Sequence, residues 1–375
     1  MVRLSSRERL TRTLAGEPVD RVGISLYEFD GHYESWIHRF PEYQALLDYA
    51  AGRTDRLFFW APASPSPALF YGQVEPDTVR AETWTEGASR FRRSRIITPR
   101  GELTSLTRTD EGVHTGWQIE PLCKDEQDAA RVLSLPFTPW RPPVDNFFKT
   151  EARLGDTGLA MGDLPDALCC TVELFGFAPF LTLYLDNPGL VIRLMDFFQA
   201  RLEAYLEHLL ASGAVTIYRI CGPEYATPPY LPPAAFRRLV FDYDRRLVEI
   251  LHRHGGRARL HSHGRIARVL DQLAALEIDA IDPLEPPPDG DAGLETVRSA
   301  LGGRVVLVGN VEERLLEIGS AAEIEAAVRS AIEAGARGGP FILCPTAMPL
   351  TTPLSEKVQG NIRHYIDCGL KYGGA

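Results

Sequence analysis

The sequence predicts an α/β chain folded as a (β/α)8 TIM barrel, with an antiparallel β-hairpin insertion in its N-terminal half. Three observations predict it. Short, nearly continuous apolar runs recur along the chain, as strands buried on both faces require. Amphipathic helical stretches alternate with these runs through the C-terminal half. One segment, about residues 65–150, breaks the alternation and carries hairpin signals instead. The 375 residues suit one such domain spanning 1–375, with 65–150 as a β-rich cap.

The first two strand-like runs are VGISLY (22–27) and RLFFWA (56–61). The inserted segment TWTEGASRFRRSRIITPRGELTSLTRTDEGVHTGWQIEP reads as hairpins turning at PRGE and TDEG, followed by the proline-rich SLPFTPWRPP. The third run is GLAMGDL (158–164), and the fourth, AVTIYRI (214–220), follows a helical stretch over 187–213 that ends at Gly213. A helix over 232–256 starts after prolines and stops at a glycine pair. RARLHSH (257–263), IDAIDPLE (278–285), RVVLVGN (304–310) and PFILCPT (340–346) complete the eight. Helices over 264–277 and 320–336 fall between them; the second opens on Ser320 with Glu323 three residues on, a capping box.

Composition narrows the function classes. A net charge of −10 offers nothing to neutralise a phosphate backbone, which argues against nucleic-acid binding. The apolar runs are too short to span a bilayer, and MVRLSSRERLTRTLAGEPVDRV lacks the apolar core of a signal peptide. The expected location is the cytoplasm. The six cysteines form no C-x-x-C pair and are expected as free thiols, mostly small buried hydrophobes. No G-x-G-x-x-G opens a helix, so no bound nucleotide is expected.

Alternate residues of a strand share a face, so His261 and His263 project together near the C-terminal end of the fifth run. A TIM barrel carries its active site at that end. The sixth run brings Glu285 to the same level and the eighth brings Cys344. Two imidazoles, a carboxylate and a thiolate from three strand ends suit tetrahedral zinc with a ligand that gives way to substrate.

The chain resembles the uroporphyrinogen decarboxylase superfamily, and within it the corrinoid-dependent methyltransferases. RERLTRTLAGEPVDRV resembles the family's opening helix and turn, and IDAIDPLEP its glutamate-bearing segment. VVLVGNVEERLLEIGSAAEIEAAVRSAI, GGPFILCPT and NIRHYIDCGLKYG resemble the later segments. The likeness runs nearly end to end and is strongest from about residue 205. The methyltransferase branch orders its zinc ligands as His, x, Cys, then Glu, then Cys. The present sequence matches at His261, Glu285 and Cys344 and departs at the second place, where His263 replaces cysteine. Decarboxylases of the superfamily resemble one another in an arginine-rich N-terminal stretch that grips porphyrinogen carboxylates. Here ISLYEFDGHYESW sets Glu28, Asp30 and Glu34 in that region, which disfavours an anionic tetrapyrrole.

The resemblance implies zinc at the quartet and a cobalamin supplied by a separate carrier protein, since no D-x-H-x-x-G carrier motif is present. One Cys and one Glu balance the charge of Zn²⁺ and leave a strong Lewis acid. That favours a methylated donor such as an aryl methyl ether, with a methyl acceptor thiol as the alternative. Aromatic residues near strand ends (Tyr27, Phe29, Tyr33, Trp36, Trp60, Tyr225 and Tyr230) suit such a donor. Glu224 and Tyr225 are the candidate catalytic residues; Glu28, His32, Asp163 and Asn310 are the candidate substrate-binding residues. His252 and His254 are expected at a helix C-terminus facing solvent, and His364 as a structural or surface residue on the last helix. Two other readings remain open: a metal-independent decarboxylase or lyase in which the histidines move protons, and a binding subunit that docks a corrinoid protein without chemistry.

Overall fold

The computed structural model describes residues 3–31, 40–64, 66–113, 115–349 and 351–374. Eight parallel strands form one curled sheet: β1 (Gly23–Ile24), β2 (Arg56–Trp60), β3 (Gly158–Pro165), β4 (Ile217–Cys221), β5 (Arg257–Ser262), β6 (Ala280–Pro283), β7 (Val306–Val311) and β8 (Phe341–Pro345). Their order is β1-β8-β7-β6-β5-β4-β3-β2, the order of a TIM-barrel-like fold.

The two ends of this sheet meet through one aspartate. The Asp55 backbone N–H donates to Ile24 O at 2.6 Å. Its carboxylate accepts from Ile24 N at 2.9 Å, from Arg9 Nη1 at 2.6 Å and from Arg21 Nη1 at 2.6 Å. Asp55 is fully buried, so these donors replace the hydration it loses.

The sequence places most elements well and some boundaries poorly. β1 is two residues long, because Tyr27 adopts a left-handed φ of 56° and Glu28–Gly31 turns into a short helix. The helix predicted over 187–213 spans Pro188–Ala211, and Ser320 with Glu323 closes a capping box on Ala321–Gly335. The stretch expected as a helix over 232–256 is helical without a break from Pro233 to Arg253, with a π turn over Arg237–Phe241 inside it. After β5 the chain enters helix late, at Leu270–Ala275. Among the described residues no single helix is long and apolar enough to cross a membrane.

The insertion is a four-stranded antiparallel sheet of Val79–Glu86, Ser89–Thr98, Gly101–Asp110 and Gly116–Glu120, paired in sequence order. Paired Ile96 and Leu103 are buried in the same core as Ala129 and Val132 of the helix Glu126–Leu133. At the other end Gly112 O accepts from Thr352 N at 2.9 Å, tying the sheet to the loop that follows β8.

Asp55→Ala leaves buried Arg9 with Asp20 as its remaining carboxylate partner and takes from partly buried Arg21 the carboxylate it pairs with. Urea unfolding is expected to show a loss of about 3–5 kcal/mol, the cost of orphaning one half of a buried pair.

Candidate functional site

The inner wall of the barrel is unusually charged. Arg219 on β4 and Arg259 on β5 are register partners, and both are buried. Arg259 Nε donates to Asp282 Oδ1 on β6 at 2.6 Å, and its Nη1 reaches Met161 Sδ on β3 at 3.7 Å. Arg219 Nε donates to Asp163 Oδ1 at 2.8 Å and its Nη1 to the Tyr27 hydroxyl at 2.8 Å, with Glu28 Oε1 3.6 Å away. These contacts span the barrel, so the alternating Arg259, His261 face of β5 points inward.

His261 sits one step further along that face. Its Nδ1 lies 2.8 Å from Asp282 Oδ2, so the two Asp282 oxygens are divided between Arg259 and His261. Burial alone would raise the Asp282 pKa. The Arg259 and His261 charges and hydrogen bonds outweigh it and hold the carboxyl far below the usual range. An ionised Asp282 accepts the Nδ1–H of His261 and fixes the ring with Nε2 as its other, unanchored nitrogen. Tyr27 stacks on the ring at 6.3 Å between centroids.

His263 lies beyond the last strand residue and meets the His261 ring edge-on, 4.6 Å between centroids. Its Nδ1 is 2.7 Å from Glu285 Oε1, while Glu285 Oε2 accepts from Gly264 N at 2.6 Å. Burial acts to lower the His263 pKa, but the hydrogen bond and charge of Glu285, with Glu224 and Asp282, carry it upward. Cys344 on β8 is buried and pairs in register with Asn310.

The structure thus joins His263 to Glu285 and sets His261 beside them. As the side chains stand, no three His, Cys, Asp or Glu among the described residues are arranged to hold a metal ion. The donor types nevertheless fit zinc: two imidazoles, a carboxylate and a thiol, with one histidine already oriented by a carboxylate.

The other predicted residues are spread around the same rim. Glu224 lies on the turn after β4 and accepts from Gly222 N at 3.1 Å through Oε2. Tyr225 packs on Phe177 at 5.5 Å, and Tyr230 meets the same ring at 4.8 Å, making an aromatic wall. Asp163 lies within β3, and with Glu28 it is committed to Arg219. Asn310 lies within β7. Trp60 packs on Phe147 and Phe29 on Tyr43, so these two aromatics are core. His32, Tyr33, Glu34 and Trp36 lie outside the described residues, as does the side chain of Asp30. His252 and His254 lie at the helix C-terminus as expected, His252 exposed and His254 half-buried, and their Nε2 atoms also meet Asp279 at 2.9 Å and Glu207 at 2.7 Å. His364 faces Ala321 O at 3.0 Å, a structural contact.

Sequence reasoning missed Arg219, Arg259 and Asp282. The signal was present: Arg257, Arg259, His261 and His263 alternate without a break, so any inward histidine implies an inward arginine below it.

A sequence model of the uroporphyrinogen decarboxylase (URO-D) family matches residues 170–358. Among solved structures the chain is similar to a methyltransferase from Methanosarcina mazei at 15% identity and TM-score 0.61, covering 98% of this chain and 99% of that one. It also aligns with D-psicose 3-epimerase from Clostridium cellulolyticum H10 at 10% identity and TM-score 0.34, covering 62% of this chain and 95% of that one. No curated protein matches the sequence significantly.

Glu313 supplies a pH test of the rim. Burial, then Glu317 and Glu312, push its pKa up to about 7 from 4.5. The folded state therefore holds a proton that the unfolded state releases, and stability falls as pH rises from about 4.5 to 7. Glu313→Gln is expected to flatten that part of a Tm-against-pH curve, leaving the variant more stable than the parent at pH 8 and equal to it near pH 4.

Proposed function

The chain belongs to the uroporphyrinogen decarboxylase family, and we propose that within it the protein is a zinc-dependent methyltransferase. The methyl group would pass between a small methylated compound, a methoxy-aromatic by preference, and a corrinoid carried on a separate protein. The observation that carries this reading is the Asp282–His261 hydrogen bond of 2.8 Å at the barrel rim. A carboxylate behind an imidazole is how proteins orient a histidine for a metal.

His261, His263, Glu285 and Cys344 would hold the ion. One thiolate and one carboxylate leave the bound metal close to neutral overall, and a Lewis acid of that kind polarises a substrate oxygen or sulfur. The rest falls to the chain. Asp282, kept ionised by Arg259, holds the tautomer and plane of His261. Tyr27 braces the ring from its face. Phe177, Tyr225 and Tyr230 offer an aromatic wall to a flat donor and keep water from one side of it. Glu224 anchors a hydroxyl of the donor or takes a proton from it, and Asn310 supplies amide hydrogen bonds. Glu28 and Asp163 act through Arg219, as part of the wall rather than as free anchors.

The acidic rim supports this choice over a polycarboxylate substrate. Glu28 and Asp163 cover Arg219, and Glu224, Glu285, Glu312 and Glu313 add no cation beside it. One observation favours the second reading, a metal-independent lyase: His263 and Glu285 are hydrogen-bonded to each other, a ready acid–base pair.

Metal analysis separates the two. About one zinc per chain is expected, lost in Cys344→Ser, and Asp282→Asn should weaken zinc binding by about 10–100-fold without removing a ligand. Protein purified with zinc in the growth medium yet free of metal would support the lyase. Methyl release from methoxy-aromatics to cob(I)alamin then tests the donor class, and transfer to a thiol instead would reverse its direction.

A further inference from the structure

We propose that the inserted sheet pairs edge to edge with a second copy of this chain, the strand Val79–Glu86 lying antiparallel to its own copy about a two-fold axis at Thr83. The inference goes beyond the metal and methyl chemistry and does not rest on it.

The two edges of that sheet are unlike. At one edge, Gly116–Glu120 is five residues long, its pairing slips between Leu106 and Thr107, and the Gln118 side chain donates to Glu173 O at 2.9 Å. A short, bulged and tethered strand resists further pairing. At the other edge, Val79–Glu86 is eight residues long and pairs with Ser89–Thr98 without a slip. It contains neither proline nor lysine, the residues that usually guard an edge. Arg80, Ala81, Glu82, Thr83, Thr85 and Glu86 are all exposed.

The hairpin turn fixes which backbone groups are free. Gly87 and Ala88 make a two-residue turn, with Gly87 at φ +60°, so Glu86 and Ser89 are its hydrogen-bonded closing pair. Alternation then sends the N–H and C=O of Trp84, Glu82 and Arg80 to the neighbouring strand. Those of Ala81, Thr83 and Thr85 point to the open edge, where no other strand pairs. Among the described residues no turn or loop hydrogen bond reaches them.

Charge selects the partner and the register. Self-pairing has to bring outward residues opposite outward residues. With Thr83 opposite itself, Ala81 faces Thr85, and every outward N–H and C=O of the three is met. Arg80 then lies opposite Glu86 of the second copy, and the two-fold axis makes that contact twice. Sliding one pairing step either way sets Glu82 against Glu82 or against Glu86, which repel. Within its own chain Arg80 lacks such a counter-ion. Its cross-strand neighbour is Arg95, a like charge, and Arg95 pairs with Glu102 at 3.3 Å. Glu86 gives Oε1 to Trp84 Nε1 at 2.8 Å, which leaves its other oxygen for a guanidinium. The operation closes on itself, so it yields a dimer and no filament. An interface this narrow makes the dimer weak and concentration-dependent.

Sedimentation equilibrium of the full chain, from micromolar to near-millimolar concentration, is the test. It should show reversible dimerisation that weakens as salt rises. Thr83→Pro removes an N–H that the folded chain leaves unused, so it should give a monomer with the wild-type circular dichroism spectrum and urea midpoint. Arg80→Glu and Glu86→Arg lie at exposed positions and keep the test alive should the proline variant misfold. Each sets like charges opposite one another at both contacts and should weaken dimerisation about tenfold or more. An equimolar mixture of these two variants again opposes a carboxylate to a guanidinium at both contacts, and should regain the wild-type dimerisation constant. A wild type that stays monomeric throughout, a dimer that persists in folded Thr83→Pro, or a mixture no tighter than either variant alone would each overturn the proposal.

Discussion

The charge pair between Arg259 and Asp282 is the interaction on which the rim is built. Both groups are buried in the barrel wall, 2.6 Å apart. Moving them out of water costs several kcal/mol per ion, and attraction alone repays that only where the remaining lone pairs are also met. Asp282 meets that condition by giving its second oxygen to His261. The histidine is thus part of the electrostatic settlement of the wall as well as a rim residue. Arg259 is less fully served: its Nη2 is buried without a hydrogen-bond partner among the described residues. A guanidinium that stays charged under these conditions projects a positive field towards β8, where Cys344 lies.

How much of this was legible in the sequence follows from which signals are local. Strand alternation is local, so the apolar runs located all eight strands, and the hairpin turns at Pro99–Arg100 and near Asp110–Gly112 were readable from residue type. Backbone choices made for tertiary reasons were not. Nothing in VGISLY announces that Tyr27 leaves the sheet, nor does the helical periodicity of 232–256 announce the π turn at Arg237–Phe241 inside that helix. In the site, His261, His263 and Glu285 were found because strand ends and alternation place them. Arg219, Arg259 and Asp282 were passed over because charged residues in an apolar strand look like exceptions until their partners on neighbouring strands are known.

The departure of this chain from the His-x-Cys pattern it resembles has a structural counterpart at Glu285. The Glu285 carboxylate is held by Gly264 N on one oxygen and by the His263 ring on the other. A cysteine side chain at 263 is several bonds shorter and has only a weak donor, so it would leave that second oxygen unmet. Histidine at this place keeps Glu285 charged in the free protein, below its usual pKa despite burial. It also makes this position half of a pair that can carry a proton. The same substitution therefore makes His263 and Glu285 each other's partner, and in the proposed zinc site it would also trade a thiolate for an imidazole donor. Whatever binds at this rim has to compete with that hydrogen bond. In the proposed metal site, selectivity for an ion over a proton would be set as much by the strength of the His263–Glu285 contact as by the donor set itself.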